Sequence, residues 1–329
     1  MLYGGIDEAG YGPLLGPLCV GAAVFNVEHA GAARPCLWST LAHSVKHAGR
    51  EKAGRDKAGR IAIDDSKKLK GARKAKAHPL THLERGVLTM LASMDEDRTW
   101  LDHCTDVALL QRLGVDLPDE PWFQGDPIAL PLGSDTSTLR IDAAQLARTM
   151  TSANTHLRHL QVRALSVPEY NDRVQSARSK SWVNFETAAT CIEHFWATTT
   201  EPLHLVMDRH GGRTCYQREL HTSWPHAHID TKGESPEQSN YTLTLNARTL
   251  HLHIRSKADA DHLPVALASM AAKLVRELLM QRLNRFFTER MPDLAPTAGY
   301  VQDGRRWLQE VHPVLQDAGF QTDQLVRCR

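Results

Sequence analysis

Hydrophobic positions along the chain follow two spacings. LYGGID (residues 2–7) and PLCVGAAVF (17–25) are short apolar runs separated by turn residues, which predicts two strands. HLQVRALSV (159–167) and PLHLVMD (202–208) alternate as strands do, and the second ends on Asp208. YTLTLN (241–246) and LHLHIR (250–255) predict a hairpin-like insertion followed by a core strand. Helical spacing runs over 79–94, where positions 80, 83, 87, 88, 91 and 94 are apolar, and over 182–197. It is strongest at 263–287, where Ala266, Ala268, Ser269, Ala271 and Ala272 allow close packing on a sheet. SVPEY opens a further helix, with Ser166 or Val167 ahead of Pro168 in the first turn. GRRWLQEVHPVL predicts a last helix, bent or broken at Pro313. Residues 114–140, rich in Pro, Gly, Asp and Ser, predict a loop with the character of a lid. The near repeat EKAGR–DKAGR (51–60) predicts an exposed insertion with little fixed structure, and Asp65 or Ser66 caps a short basic helix after it.

A chain of 329 residues with 42% apolar and 23% charged residues reads as an ordinary globular protein. No run approaches the ~18 apolar residues of a membrane span, and MLYGGIDEAG shows no signal peptide, so a cytoplasmic protein without a membrane partner is expected. The six cysteines form no CxxC pair and read as reduced thiols. Net charge is +1, but residues 46–76 hold twelve Lys/Arg against four Asp/Glu, a local +8 that leaves −7 elsewhere. Such a block points to an anionic partner or to a solvated loop.

The candidate chemistry lies in carboxylates at strand ends: Asp7 and Glu8, Asp208, and Asp259 in SKADADH. Gathered acids repel one another unless a cation neutralises them. Magnesium suits oxygen ligands, and a pair of such ions activates water in phosphodiester cleavage. Neighbouring strand residues point to opposite faces, so Asp7 and Glu8 share one site only if the strand ends or bends there. Gly10 and Gly12 make that bend inexpensive. Alternate histidines in HAH (226–228) and HLH (251–253) raise a zinc site, but no Cys or acid completes a ligand set.

GIDEAGYGPLLGPLCVGAAVF, DDSKKLK (64–70), SKADADHLPVALASMAAKLVRELLM and GYVQDGRRWLQEV together resemble four ordered segments of the ribonuclease HII family. The resemblance implies an α/β, RNase H-like fold, a mixed central sheet flanked by helices, as one catalytic domain over residues 1–329. Insertions are then expected at about 29–63, 95–155 and 213–248, with a helical end at about 303–329. It implies Mg2+- or Mn2+-dependent hydrolysis of the RNA strand of RNA–DNA hybrids, and of duplex DNA at embedded ribonucleotides, leaving 5′-phosphate and 3′-hydroxyl ends. By the same resemblance Asp7, Glu8, Asp208 and Asp259 are metal-binding and catalytic. Gly10, Tyr11 and Gly12 form the backbone-contacting turn, Lys67 meets a phosphate, and Tyr300 senses the RNA–DNA junction. Tyr11 stands where the family has arginine, and Glu277 where it has aspartate. The alternatives are a nuclease of altered specificity on this fold and a non-catalytic nucleic-acid binding protein.

Overall fold

The computed structural model describes residues 1–28, 34–48, 59–70 and 77–328; most of the near repeat, 51–58, lies outside the described residues. The strands are β1 (Leu2–Ala9), β2 (Leu18–Val27), β3 (Val45–Lys46), β4 (Ile61–Ala62), β5 (Thr155–Leu165), β6 (Leu203–Asp208), β7 (His228–Glu234), β8 (Gln238–Leu245) and β9 (Arg248–Arg255). The helices are α1 (Leu37–Thr40), α2 (Ser66–Leu69), α3 (Thr81–Ala92), α4 (Asp106–Arg112), α5 (Thr136–Ser152), α6 (Val167–Ala177), α7 (Lys180–Trp196), α8 (Gln217–Ser223), α9 (Leu263–Thr288) and α10 (Val301–Asp317).

Seven strands form one mixed sheet in the order β5-β2-β1-β6-β9-β8-β7, while β3 and β4 pair separately. β6 runs parallel to both β1 and β9; β2, β5, β7 and β8 join antiparallel. The expected mixed sheet flanked by helices is therefore present. Strand alternation builds two cores. Tyr3, Cys19, Ala23 and Phe25 pack with α3 and α9 on one face, while Ile6, Val20, Leu205 and Met207 meet Phe185, Ile192 and Trp196 of α7 on the other.

The small-residue helix α9 lies directly on β1 and β2. A Cβ at Gly5 would stand 2.2 Å from the Val265 nitrogen, and one at Gly21 2.1 Å from the Ala268 carbonyl oxygen. Side chains at these positions would push the helix away, so the two glycines set its depth. That depth brings Ser269 to the end of β1.

Two expectations about elements are corrected. α10 continues through Pro313, because Trp307, Val311 and Leu315 hold its buried side although one N–H donor is lost. The stretch 114–140 is irregular only up to Asp135, which caps α5 by accepting from Thr138 N (2.8 Å). The rest of 95–155 is fastened to α9 by a fully buried ion pair, with Arg282 Nη2 donating to Asp106 Oδ1 at 2.9 Å.

Candidate active site

Parallel strands deliver their carboxyl ends to one edge of a sheet, where open α/β folds place their ligands. Here β1, β6 and β9 deliver Asp7, Asp208 and the turn bearing Asp259. The β1–β6 ladder stops at Ile6–Met207, while β1 stays paired with β2 as far as Ala9–Cys19. One flank of β1 is thus free of β6 where the acids lie.

The strand neither ends nor bends at Asp7–Glu8, the condition set for the two to share one site; it stays extended through Ala9, the sharp change falls at Gly10 (φ +94°), and Asp208, on the flank left open by β6, acts on both charges instead. Alternation sends Asp7 to the α9 side, beside Ser269, and Glu8 to the α7 side, beside Asn184 and His210. The two carboxylates straddle the strand end. Asp208 accepts a hydrogen bond from Ala258 N (3.0 Å), which ties the end of β6 to the one-turn helix Ala258–Ala260 that carries Asp259.

Electrostatics couples these groups. Burial, then the charges of Glu8 and Asp208, push Asp7 well above the carboxylate range; the Ser269 hydroxyl and the Glu8 N–H (2.8 Å) partly offset this. Glu8 is pushed up to about 7, first by burial and then by Asp208, while Asn184 and Lys67 favour its charged form. Neither amide atom of Asn184 makes an aligned hydrogen bond. Burial raises Asp208 against the pull of three backbone N–H groups, and Asp259 is raised by burial, by Asp65 and by Asp208.

Among the described residues no three His, Cys or acidic side chains form a ready metal cage; the acids make an open cluster. Its chemistry nevertheless fits a divalent cation. The donors are hard carboxylate oxygens, their mutual repulsion favours a counter-charge, and among the described residues the buried Glu8 Oε2 has no hydrogen-bond partner.

The other expected residues lie around this cluster. Lys67 is exposed on α2, whose Asp65 cap accepts its backbone N–H at 2.8 Å, and its charge favours ionised Glu8 and Asp208. Gly12 is exposed, with open space where a Cβ would stand. Tyr11 is half-buried; burial and the Glu8 charge raise its hydroxyl while Arg213 opposes them. Tyr300 is 51% exposed. Its segment docks on the glycine turn through Gly299 O, which accepts from Leu14 N (2.8 Å) and Leu15 N (3.1 Å).

Several contributors were not foreseen. The buried Arg276 guanidinium lies under Gly10, where a Cβ would come within 2.7 Å of Nε, and its Nη2 donates to Leu15 O and Ala298 O at 3.1 Å each. Arg327 reaches the same turn from the chain end, its N–H on Leu14 O (3.0 Å) and its Nη2 on Pro13 O. Ser269 and Arg276 lie within SKADADHLPVALASMAAKLVRELLM, and that segment's resemblance is the signal that could have found them. Asn184, His210, Arg213 and Arg327 carry no local signal, because long-range packing alone places them here. The histidines of HLH face polar neighbours: His251 stacks on His204 with centroids 4.5 Å apart, and His253 meets Asn240.

No family model matches the chain, and no curated protein matches it. Among solved structures it is similar to the ribonuclease HII of the PCNA complex from Archaeoglobus fulgidus, at 17% identity and TM-score 0.41, covering 100% of this chain and 95% of that one. It is similar to ribonuclease H2 from Pyrococcus horikoshii at 14% identity and TM-score 0.42, covering 99% and 92%. It is also similar to Bst-RNase HIII in complex with Mn2+ at 14% identity and TM-score 0.43, covering 99% of this chain and 66% of that one. Among the described residues no helix is long and apolar enough to cross a membrane.

Proposed function

We propose that the chain is a Mg2+- or Mn2+-dependent endoribonuclease of the ribonuclease HII type. It cleaves the RNA strand of RNA–DNA hybrids, and duplex DNA at embedded ribonucleotides, leaving 5′-phosphate and 3′-hydroxyl ends. One observation carries this reading: Asp7, Asp208 and Asp259 arrive at one sheet edge from β1, β6 and the turn after β9, with Glu8 and Lys67 beside them.

Asp7, Glu8, Asp208 and Asp259 are the residues to hold the cation, which when bound supplies an activated water and stabilises charge on the leaving oxygen. The protein does the rest. The Lys67 ammonium orients a phosphate, as an exposed point charge can. Backbone groups of Gly10–Gly12 meet the ribose 2′-hydroxyl, the group that marks RNA. Open space at Gly12 leaves room for that approach. Tyr300 lays its exposed ring against the next sugar. The basic stretch 46–76 adds affinity for the phosphate backbone.

A second reading is kept because Tyr11 occupies the position of the family's arginine: a nuclease of altered specificity on the same scaffold. The test is a panel of end-labelled substrates with Mg2+, Mn2+ or chelator: a hybrid, a DNA duplex with one ribonucleotide, plain DNA and plain RNA duplexes. The proposal expects metal-dependent cutting of the first two alone. Cutting of plain DNA duplex favours the second reading, and cutting of none of the four contradicts both.

A further inference from the structure

The segment 34–48, which runs into the basic stretch, looks like an insertion, yet two of its side chains are buried against the acid cluster's support. Trp38 and His47 are both under a tenth exposed, and their rings lie 4.6 Å apart. Trp38 Nε1 donates to Ile63 O (3.0 Å), fixing the strand that leads into DDSKKLK. His47 stands between two acceptors. Its Nε2 hydrogen-bonds the carbonyl oxygen of Ala260 (3.1 Å), and its Nδ1 lies 3.1 Å from Oδ2 of Asp64 in a charge contact without hydrogen-bond alignment. Asp64 is fully buried, and its other oxygen accepts the Asp65 N–H at 2.7 Å.

These contacts form a continuous path. Ala260 closes the one-turn helix whose middle residue is Asp259, and Ala258 at its start donates to Asp208. The turn is therefore held at one end by Asp208 and at the other by His47. Through Asp64, His47 also meets the start of the segment whose Asp65 caps the helix bearing Lys67. Asp259 and Lys67 come from chain positions almost two hundred residues apart, and one imidazole spans their supports.

We propose that His47 is a positioning residue of the active site. With Asp64 behind it, His47 holds the Asp259 turn and the Lys67 helix in register, which gives the apparent insertion a role in the reaction. This rests on the reading that Asp259 helps to hold the cation. The physical reason is the general one for groups behind a metal ligand: a buried hydrogen-bonded partner fixes the ligand's direction, and its loss costs about 10–100-fold in metal affinity or activity.

The test uses the full chain. Mn2+ binding to metal-free protein is followed by calorimetry, and kcat and KM for a labelled hybrid are measured alongside. His47→Ala is expected to weaken Mn2+ binding or lower kcat about 10–100-fold with KM for the hybrid held within about twofold. His47→Gln, which keeps an N–H donor for the Ala260 carbonyl, is expected to recover much of the loss. Asp64→Asn should resemble His47→Ala, and the double variant should lose little more. Wild-type Mn2+ affinity and kcat in both His47 variants would show that His47 only packs. If His47→Ala fails to fold, His47→Gln and Asp64→Asn decide: wild-type values in both overturn the proposal. If wild type itself neither binds Mn2+ nor cuts the hybrid, the parent reading fails and the positioning role falls with it.

Discussion

At the scale of single residues, Asp7 is where the opposing forces meet. It is buried, feels the charges of Glu8 and Asp208, and is relieved in part by a serine hydroxyl and a backbone N–H. A carboxyl whose pKa is raised on folding stabilises the fold below its unfolded value, ~3.9, and loses that contribution as pH rises through the folded value. Without metal, Asp7→Asn is therefore expected to melt at or above the wild-type temperature at pH 7.5, the advantage vanishing near pH 4. Thermal unfolding in chelator checks this, and a clearly lower midpoint at pH 7.5 would mean that Asp7 stabilises the fold itself. The acids were legible because they sit at the ends of apolar runs. Their directions were left open, because the sequence does not say whether the strand runs on past Asp7; it does, and it sends Asp7 and Glu8 to opposite faces. The setting of Tyr11 was equally hidden: Arg276, from a signature segment, and Arg327, from the chain end, gather beneath its turn, and the sequence does not show that they meet there.

At the scale of elements, the distance between α9 and the sheet decides whether Ser269 can serve Asp7. Gly21→Ala forces a methyl toward the Ala268 carbonyl, and overpacking of this kind costs about 1–3 kcal/mol. Equilibrium denaturation should show that loss, with a change in hybrid cleavage alongside it; unchanged stability would mean that the helix has slack. On the outer half of the same face, β6 and β9 stack His204 on His251. Burial first, then His251, pushes His204 down to about 4. A base depressed on folding contributes stability above its unfolded pKa, ~6.5, that is lost as pH falls through the folded value. The thermal midpoint should thus fall between about pH 6.5 and 4, and less steeply in His204→Gln; identical acid limbs would remove His204 from the account. Strongly periodic elements such as β6 and α9 were readable, since burial on one face writes its period into the chain. The helix α5 was missed although Leu139, Ala143, Leu146 and Met150 keep helical spacing, because the Thr and Ser residues of its first turn, 136–138, continue the polar stretch before it and imitate a loop. α10 was expected to break because Pro313 is a local signal, while the packing that overrides it is tertiary.

At the scale of the molecule, the charge is divided. Acids gather at the carboxyl ends of three mutually parallel strands, and residues 46–76, which include Lys67, carry a local charge of +8, all within a net charge of +1. A cluster of acids and a basic stretch of sequence in one chain suit a cation-dependent reaction on a polyanion, since each charge has a different counterpart. Side chains of 34–48 brace the Asp259 turn, and those of 95–155 brace α9. The central claim is that this acid cluster cuts the RNA strand of a hybrid. Its most direct test is the rate of cutting of a 5′-labelled RNA–DNA hybrid in Mn2+ by wild type and by Asp7→Asn, both verified as folded. The account predicts cutting by wild type that chelator abolishes, and cutting by Asp7→Asn reduced to the metal-free background. Equal rates for the two proteins would contradict it.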